Sequence, residues 1–71
     1  MNKKETIKTI CEICRERRKK SKISQETMAK HCSVTQPAIS RFESGKYDDL
    51  YLVLVYADLL SIDLLKEIRN I

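Results

Sequence analysis

Between residues 36 and 44, turning 100° per residue puts Gln36, Pro37, Ser40, Arg41 and Ser44 on one half of a helix and Thr35, Ala38, Ile39 and Phe42 on the other. An amide, hydroxyls and a guanidinium on one side make a hydrogen-bonding front. That set suits a planar partner presenting donors and acceptors together, as base edges do in the major groove of DNA. The opposite half is apolar and must be buried for the front to be held out.

A second chemistry competes for attention. Cys11-x-x-Cys14 together with His31-Cys32 offers four N and S ligands, the number a structural zinc takes. Cys11 and Cys14 nevertheless continue an apolar stripe begun by Ile7 and Ile10, and Cys32 belongs with Met28 and Ala29, so all three are expected as small core residues. His31 is expected at the surface or facing a phosphate. No metal and no cofactor is expected. One histidine, one glycine and no paired acidic cleft leave no nucleophile-base set and no phosphate loop, so the chain is not expected to be an enzyme.

The elements that would position the polar front follow from capping chemistry. Asn2 with Glu5 resembles a capping box opening a first helix over about residues 3 to 20, with a basic run, Arg15 to Lys22, at its end. Ser24 is a good N-cap and Glu26 suits the positive end of the dipole, which predicts a second helix ending near Cys32 or Ser33. Thr35 caps a third, with Pro37 in the first turn, where its missing N–H costs least, and Gly45 at the position that closes the helix.

Asp48 or Asp49 can cap a fourth helix over about residues 49 to 60, although its run L-Y-L-V-L-V-Y has strand-like propensity. Leu50, Val53, Leu54, Ala57 and Leu60 point one way on it; Tyr51, Leu52, Val55 and Leu59 point the other. A helix apolar on both sides must bury both or expose a patch. The second side, with Tyr51, Val55 and Leu59, is expected to be a homodimer contact helped by a fifth helix; the alternative is a locally thickened core. Ser61 is expected to cap that fifth helix, over about residues 62 to 70, with Leu64, Leu65, Ile68 and Ile71 as its apolar edge.

S-Q-x-x-x-A at 24 to 29, followed by V-T-Q-x-x-I-S-R-F-E-S-G-K at 34 to 46, closely resembles the Cro and phage-repressor (XRE-like) helix-turn-helix domains. The likeness runs on through Ala57, Leu60 and Ile62 and back to Arg18. It implies an all-α, compact five-helix, lambda-repressor-like fold over residues 1 to 71 as a single domain, with the helix-turn-helix formed by the second and third helices. It implies a sequence-specific transcriptional regulator of double-stranded DNA, most simply a repressor bound as a homodimer to a palindromic site. The competing reading is an antitoxin or inhibitor-type module whose main partner is a protein.

By the same resemblance, base contacts fall to Gln36, Pro37, Ser40 and Arg41, and phosphate contacts to Gln25, Thr35, Ser44 and Lys46. Arg18 and Glu43 would form a structural salt bridge. Glu43 lies about 40° from Ile39 on the wheel, at the edge of the inward half, and needs a cation there if it is to stay charged. The chain departs from the family at Lys22, Ser33 and Ser61, positions that often hold glycine. A serine with positive φ at Ser33 would bear a small strain.

Composition bounds the rest. Residues 1 to 46 carry 12 Lys and Arg against 5 Asp and Glu, whereas residues 47 to 71 carry 2 against 5. The positive half is the one holding the helix pair, as a phosphate-facing surface requires. Seventy-one residues leave room for one modest core and no separate sensor or ligand domain, so no small-molecule ligand is expected. No signal-peptide order, no apolar run of about 18 residues and an odd cysteine count predict a cytoplasmic chain without membrane or disulfide, in a prokaryotic cell or a phage-infected host.

Overall fold

In a computed structural model describing residues 2 to 71, five helices and no strand are formed: α1 Lys3–Lys20, α2 Gln25–Cys32, α3 Gln36–Glu43, α4 Leu50–Leu59 and α5 Leu64–Arg69. Each begins at a side-chain cap that satisfies an orphan amide of the first turn. Asn2 accepts from Glu5 N–H, Ser24 from Thr27, Thr35 from Ala38, Asp49 from Leu52 and Asp63 from Lys66.

Three helix ends use one device. Lys22, Ser33 and Ser61 have φ of 59°, 58° and 54°, the left-handed region. The next residue's N–H then reaches back five positions: Ile23 to Arg18 O at 3.2 Å, Val34 to Ala29 O at 3.0 Å, Ile62 to Ala57 O at 2.9 Å. This is the Schellman closure, in which an apolar residue after the left-handed one folds back on the helix. The three places where the sequence lacks the family's glycine are therefore three left-handed positions, and an L residue bears strain at each.

This geometry corrects one expectation. Ser61 does not cap α5, because a left-handed residue closing α4 cannot also take the extended backbone that an N-cap requires. Asp63 caps it instead, and α5 is shorter than its apolar pattern suggested.

The core joins Ile10, Cys11 and Cys14 of α1 to Met28, Ala29 and Cys32 of α2, Ile39 and Phe42 of α3, Leu52 and Tyr56 of α4, and Ile62. Phe42 and Tyr56 meet with ring centroids 5.1 Å apart and planes tilted by 57°, a favourable edge-biased contact. The division of α4 into two sides is also corrected. Leu52 and Tyr56 face the core, with Val53, Val55, Ala57 and Leu60 half-buried beside them, while Leu50 is 73% exposed and Leu54 53% exposed. With an apolar residue at every position but Asp58, α4 has almost no periodic contrast to fix its rotation. The Asp49 cap and a hydrogen bond from Tyr56 fix it instead.

On α5, Leu64 packs against the core, as does Ile71 just beyond the helix, whereas Leu65 and Ile68 are exposed. Among the described residues no helix is long and apolar enough to cross a membrane.

Candidate nucleic-acid interface

Three residues, Ser33 to Thr35, turn the chain from α2 into α3. Ser33 N–H bonds to Lys30 O at 3.2 Å as its backbone goes left-handed, half-buried Val34 pins the turn to the core, and Thr35 caps α3. Pro37 sits in the first turn of α3, where its amide nitrogen has no helical bond to lose. Ile39, Phe42 and Glu43 are buried, and Gln36, Pro37, Ser40, Arg41 and Ser44 are exposed. The inward anchor is thus two apolar residues and one acid.

That acid is the hub of the site. Arg18 of α1 grips the Glu43 carboxylate with two prongs, Nε to Oε2 at 2.7 Å and Nη2 to Oε1 at 2.9 Å, and donates Nη1 to Ile23 O at 2.7 Å. Tyr56 of α4 donates its hydroxyl to Glu43 Oε2 at 2.5 Å, and Gln25 of α2 donates Nε2 to Oε1 at 3.2 Å. Four helices therefore meet on one carboxylate. Burial alone would push that carboxyl up, but the hydrogen bonds from Arg18, Tyr56 and Gln25 together outweigh it and hold it below its ordinary value. The Arg18 guanidinium is raised by its bonds to Glu43 against the opposing pull of burial. The Tyr56 phenol is raised by burial and then by the carboxylate it faces.

From this hub the network reaches the outer front. Gln36 donates Nε2 to Gln25 Oε1 at 2.6 Å, so Gln25 links the buried acid to the first side chain of α3. Both functional ends of Gln25 are used inside the chain. One of its two Nε2 protons remains for an external acceptor. Thr35 uses its hydroxyl as the α3 cap, and the Ser44 hydroxyl donates to Arg41 O at 2.6 Å. Arg41 and Lys46 are exposed and enter no ion pair among the described residues.

The cysteines lie elsewhere in function. Cys11, Cys14 and Cys32 are all in the core, whereas His31 is exposed. Burial raises all three thiols, Cys14 to about 12, so none is a thiolate near neutral pH. Of the expected dimer residues, Tyr51 is exposed on its ring but donates its hydroxyl to Cys32 O at 2.7 Å. Val55 is half-buried and Leu59 is 37% exposed.

The Arg18–Glu43 pair that the resemblance implies is present at 2.7 Å, whereas Tyr56 and the double use of Gln25 are not foreseen in the sequence. A tyrosine in register with Leu52, one turn on, was the available signal, since a buried phenol needs a polar partner.

Residues 15–49 match the family model described as Helix-turn-helix. The match covers the end of α1, both helices of the pair and the turn leading to α4. This part of the chain is a helix-turn-helix of the Cro and phage-repressor (XRE-like) kind, a family of DNA-binding regulators. No curated protein and no solved structure matches the chain.

Proposed function

We propose that the 71 residues act as one unit, a repressor that reads a palindromic DNA site as a homodimer by placing α3 in the major groove. The observation that carries this is the division of α3: Gln36, Pro37, Ser40 and Arg41 stand in solvent above buried Ile39, Phe42 and Glu43. Arg41 would take guanine O6 and N7 as a bidentate pair, and Pro37 would offer apolar contact to a thymine methyl. Gln36 would take adenine N6 and N7, using the Nε2 proton left free by Gln25.

Gln25, Thr35, Ser44 and Lys46 would supply phosphate contacts that set register and affinity without reading sequence. Thr35 and Ser44, whose side chains already serve the helix, would contribute mainly backbone N–H groups or hydroxyl lone pairs. Two copies would pair through Tyr51, Val55 and Leu59 with help from α5, where Leu65 and Ile68 are exposed. Their recognition helices would then stand about 34 Å apart. With DNA as its target and no catalytic set, the chain would act in the cytoplasm of a prokaryote or a phage-infected host, as a binder rather than an enzyme.

The exposed apolar side of α4, Leu50 and Leu54 above all, favours a second reading, an antitoxin or inhibitor-type module whose main partner is a protein. Selecting bound duplexes from a random pool separates the two. A symmetric consensus with half-sites about one helical turn apart is expected; recovery of no sequence preference would overturn the repressor reading.

A further inference from the structure

The turn after α3 comes back to the start of α1. Gly45, at φ 79°, faces Lys8 so closely that an added Cβ would lie 3.1 Å from Lys8 Cγ and 3.3 Å from its Cα. The lysine stem therefore lies across the turn, and glycine is required there twice, for its backbone and for its lack of a side chain. This contact gathers Ser44 and Lys46 with Lys3, Lys4 and Lys8 around a concavity of about 720 Å³, with Ile7 and Asp48 also in its wall. All four lysines are exposed, and none enters an ion pair among the described residues. Four lysines and one acid thus line the hollow.

We infer that this hollow is a second backbone-contact site, taking phosphates of the same duplex in the base pairs flanking those under α3. Ser44 belongs both to the outward half of α3 and to the wall of the hollow, so a duplex laid on that half runs onto it. Unpaired lysines converging on one concavity repel each other unless a polyanion lies among them. Lysine is a point charge on a flexible stem, suited to placing a phosphate and not to reading a base. The inference rests on the DNA-binding reading above and extends its footprint beyond the residues that the family likeness implies.

The test titrates the full chain with labelled duplex, random and selected, over a series of salt concentrations. Lys4→Gln with Lys8→Gln keeps the stem over Gly45 and removes two charges. Each lost phosphate contact flattens the fall of log K with log salt by about 0.9, so a change of about 1.8 is expected, with an equal fold loss on both duplexes. Lys66→Gln with Arg69→Gln on α5 removes the same charge away from the hollow and should leave the slope unchanged at protein concentrations where sedimentation gives this variant and the wild type the same oligomeric state. Trimming the flanking base pairs should weaken the wild type and have no further effect on the Lys4/Lys8 variant.

An unchanged slope in that variant, or an equal flattening from the α5 pair, overturns the site while leaving DNA binding intact. Failure of the wild type to bind any duplex at low salt overturns both. Displacement of duplex by inorganic phosphate beyond that caused by chloride at equal ionic strength would make the hollow a free-phosphate site and overturn the inference in that form. Unchanged helical circular dichroism confirms that each variant is folded.

Discussion

Around Glu43 the helices are tied by several buried, directed bonds, whereas the outer side of α4 is lined by exposed leucines and α5 is joined to α1 by one half-buried bond from Arg17 to Glu67. The first region brings Arg18, Gln25 and Tyr56 to one carboxylate, and no buried side-chain polar atom among the described residues lacks a partner. The second leaves Leu50, Leu54, Leu65 and Ile68 in water. Hydrogen bonds between buried groups specify one geometry, because leaving any member unpaired is costly. Apolar contact is non-directional and tolerates sliding. The difference teaches that α3 is fixed where it is, while the far side of the molecule is free to adapt to whatever covers it.

The sharpest way to break this comparison is to remove the hub. Glu43→Ala strands the Arg18 guanidinium and the Tyr56 hydroxyl in the core and should cost about 3 to 5 kcal/mol, read as a shift in urea midpoint. A loss under about 1 kcal/mol would mean that the network is ornamental. The same group sets the acid limb of stability. Its carboxyl ionises more readily folded than unfolded, so its contribution is present above the ordinary value of 4.5 and is lost as pH falls through the lower folded value. Glu43→Gln should flatten that limb, and an unaltered acid transition would show that other carboxylates set it.

Next in size is the working end of α3. Arg41→Ala should cost about 1 to 3 kcal/mol in duplex affinity, relax one base position and leave the urea midpoint near that of the wild type. Equal loss on every sequence would demote Arg41 to a phosphate contact.

Smaller effects lie at the helix ends. Ser33→Gly relieves a left-handed serine at φ 58° but loosens the unfolded chain, so the change should fall between neutral and about 1 kcal/mol stabilising. Clear destabilisation would mean that the serine hydroxyl contributes more than the backbone strain costs. The smallest change belongs to the adaptable side. Leu54→Gln should move stability by no more than about 0.5 kcal/mol in the monomer, and a loss of several kcal/mol in dilute solution would mean that this face is already occupied.

How far the chain could be read follows the same contrast. The α3 pattern separates polar from apolar residues so cleanly that its inward and outward halves are legible from spacing. The starts of α1, α2 and α3 are legible because Asn2, Ser24 and Thr35 combine cap chemistry with the right neighbours. On α4 nearly every position is apolar, so the wheel has no contrast and Tyr56 went unplaced. Ser61 resembles a cap because a sequence displays side-chain type and not φ. Gln25 with Gln36, and Lys8 with Gly45, are tertiary encounters that no local pattern encodes.

The closing turns at Lys22, Ser33 and Ser61 carry a hereditary consequence. Since the left-handed backbone is held by the returning amide and the apolar residue behind it, their letters can drift while their length cannot. One codon gained between Cys32 and Thr35 would re-aim α3 relative to α2 and carry the exposed row of Gln36, Ser40 and Arg41 away from its present direction. Lineages descended from this chain should therefore vary at Ser33 far more freely than they admit insertions beside it.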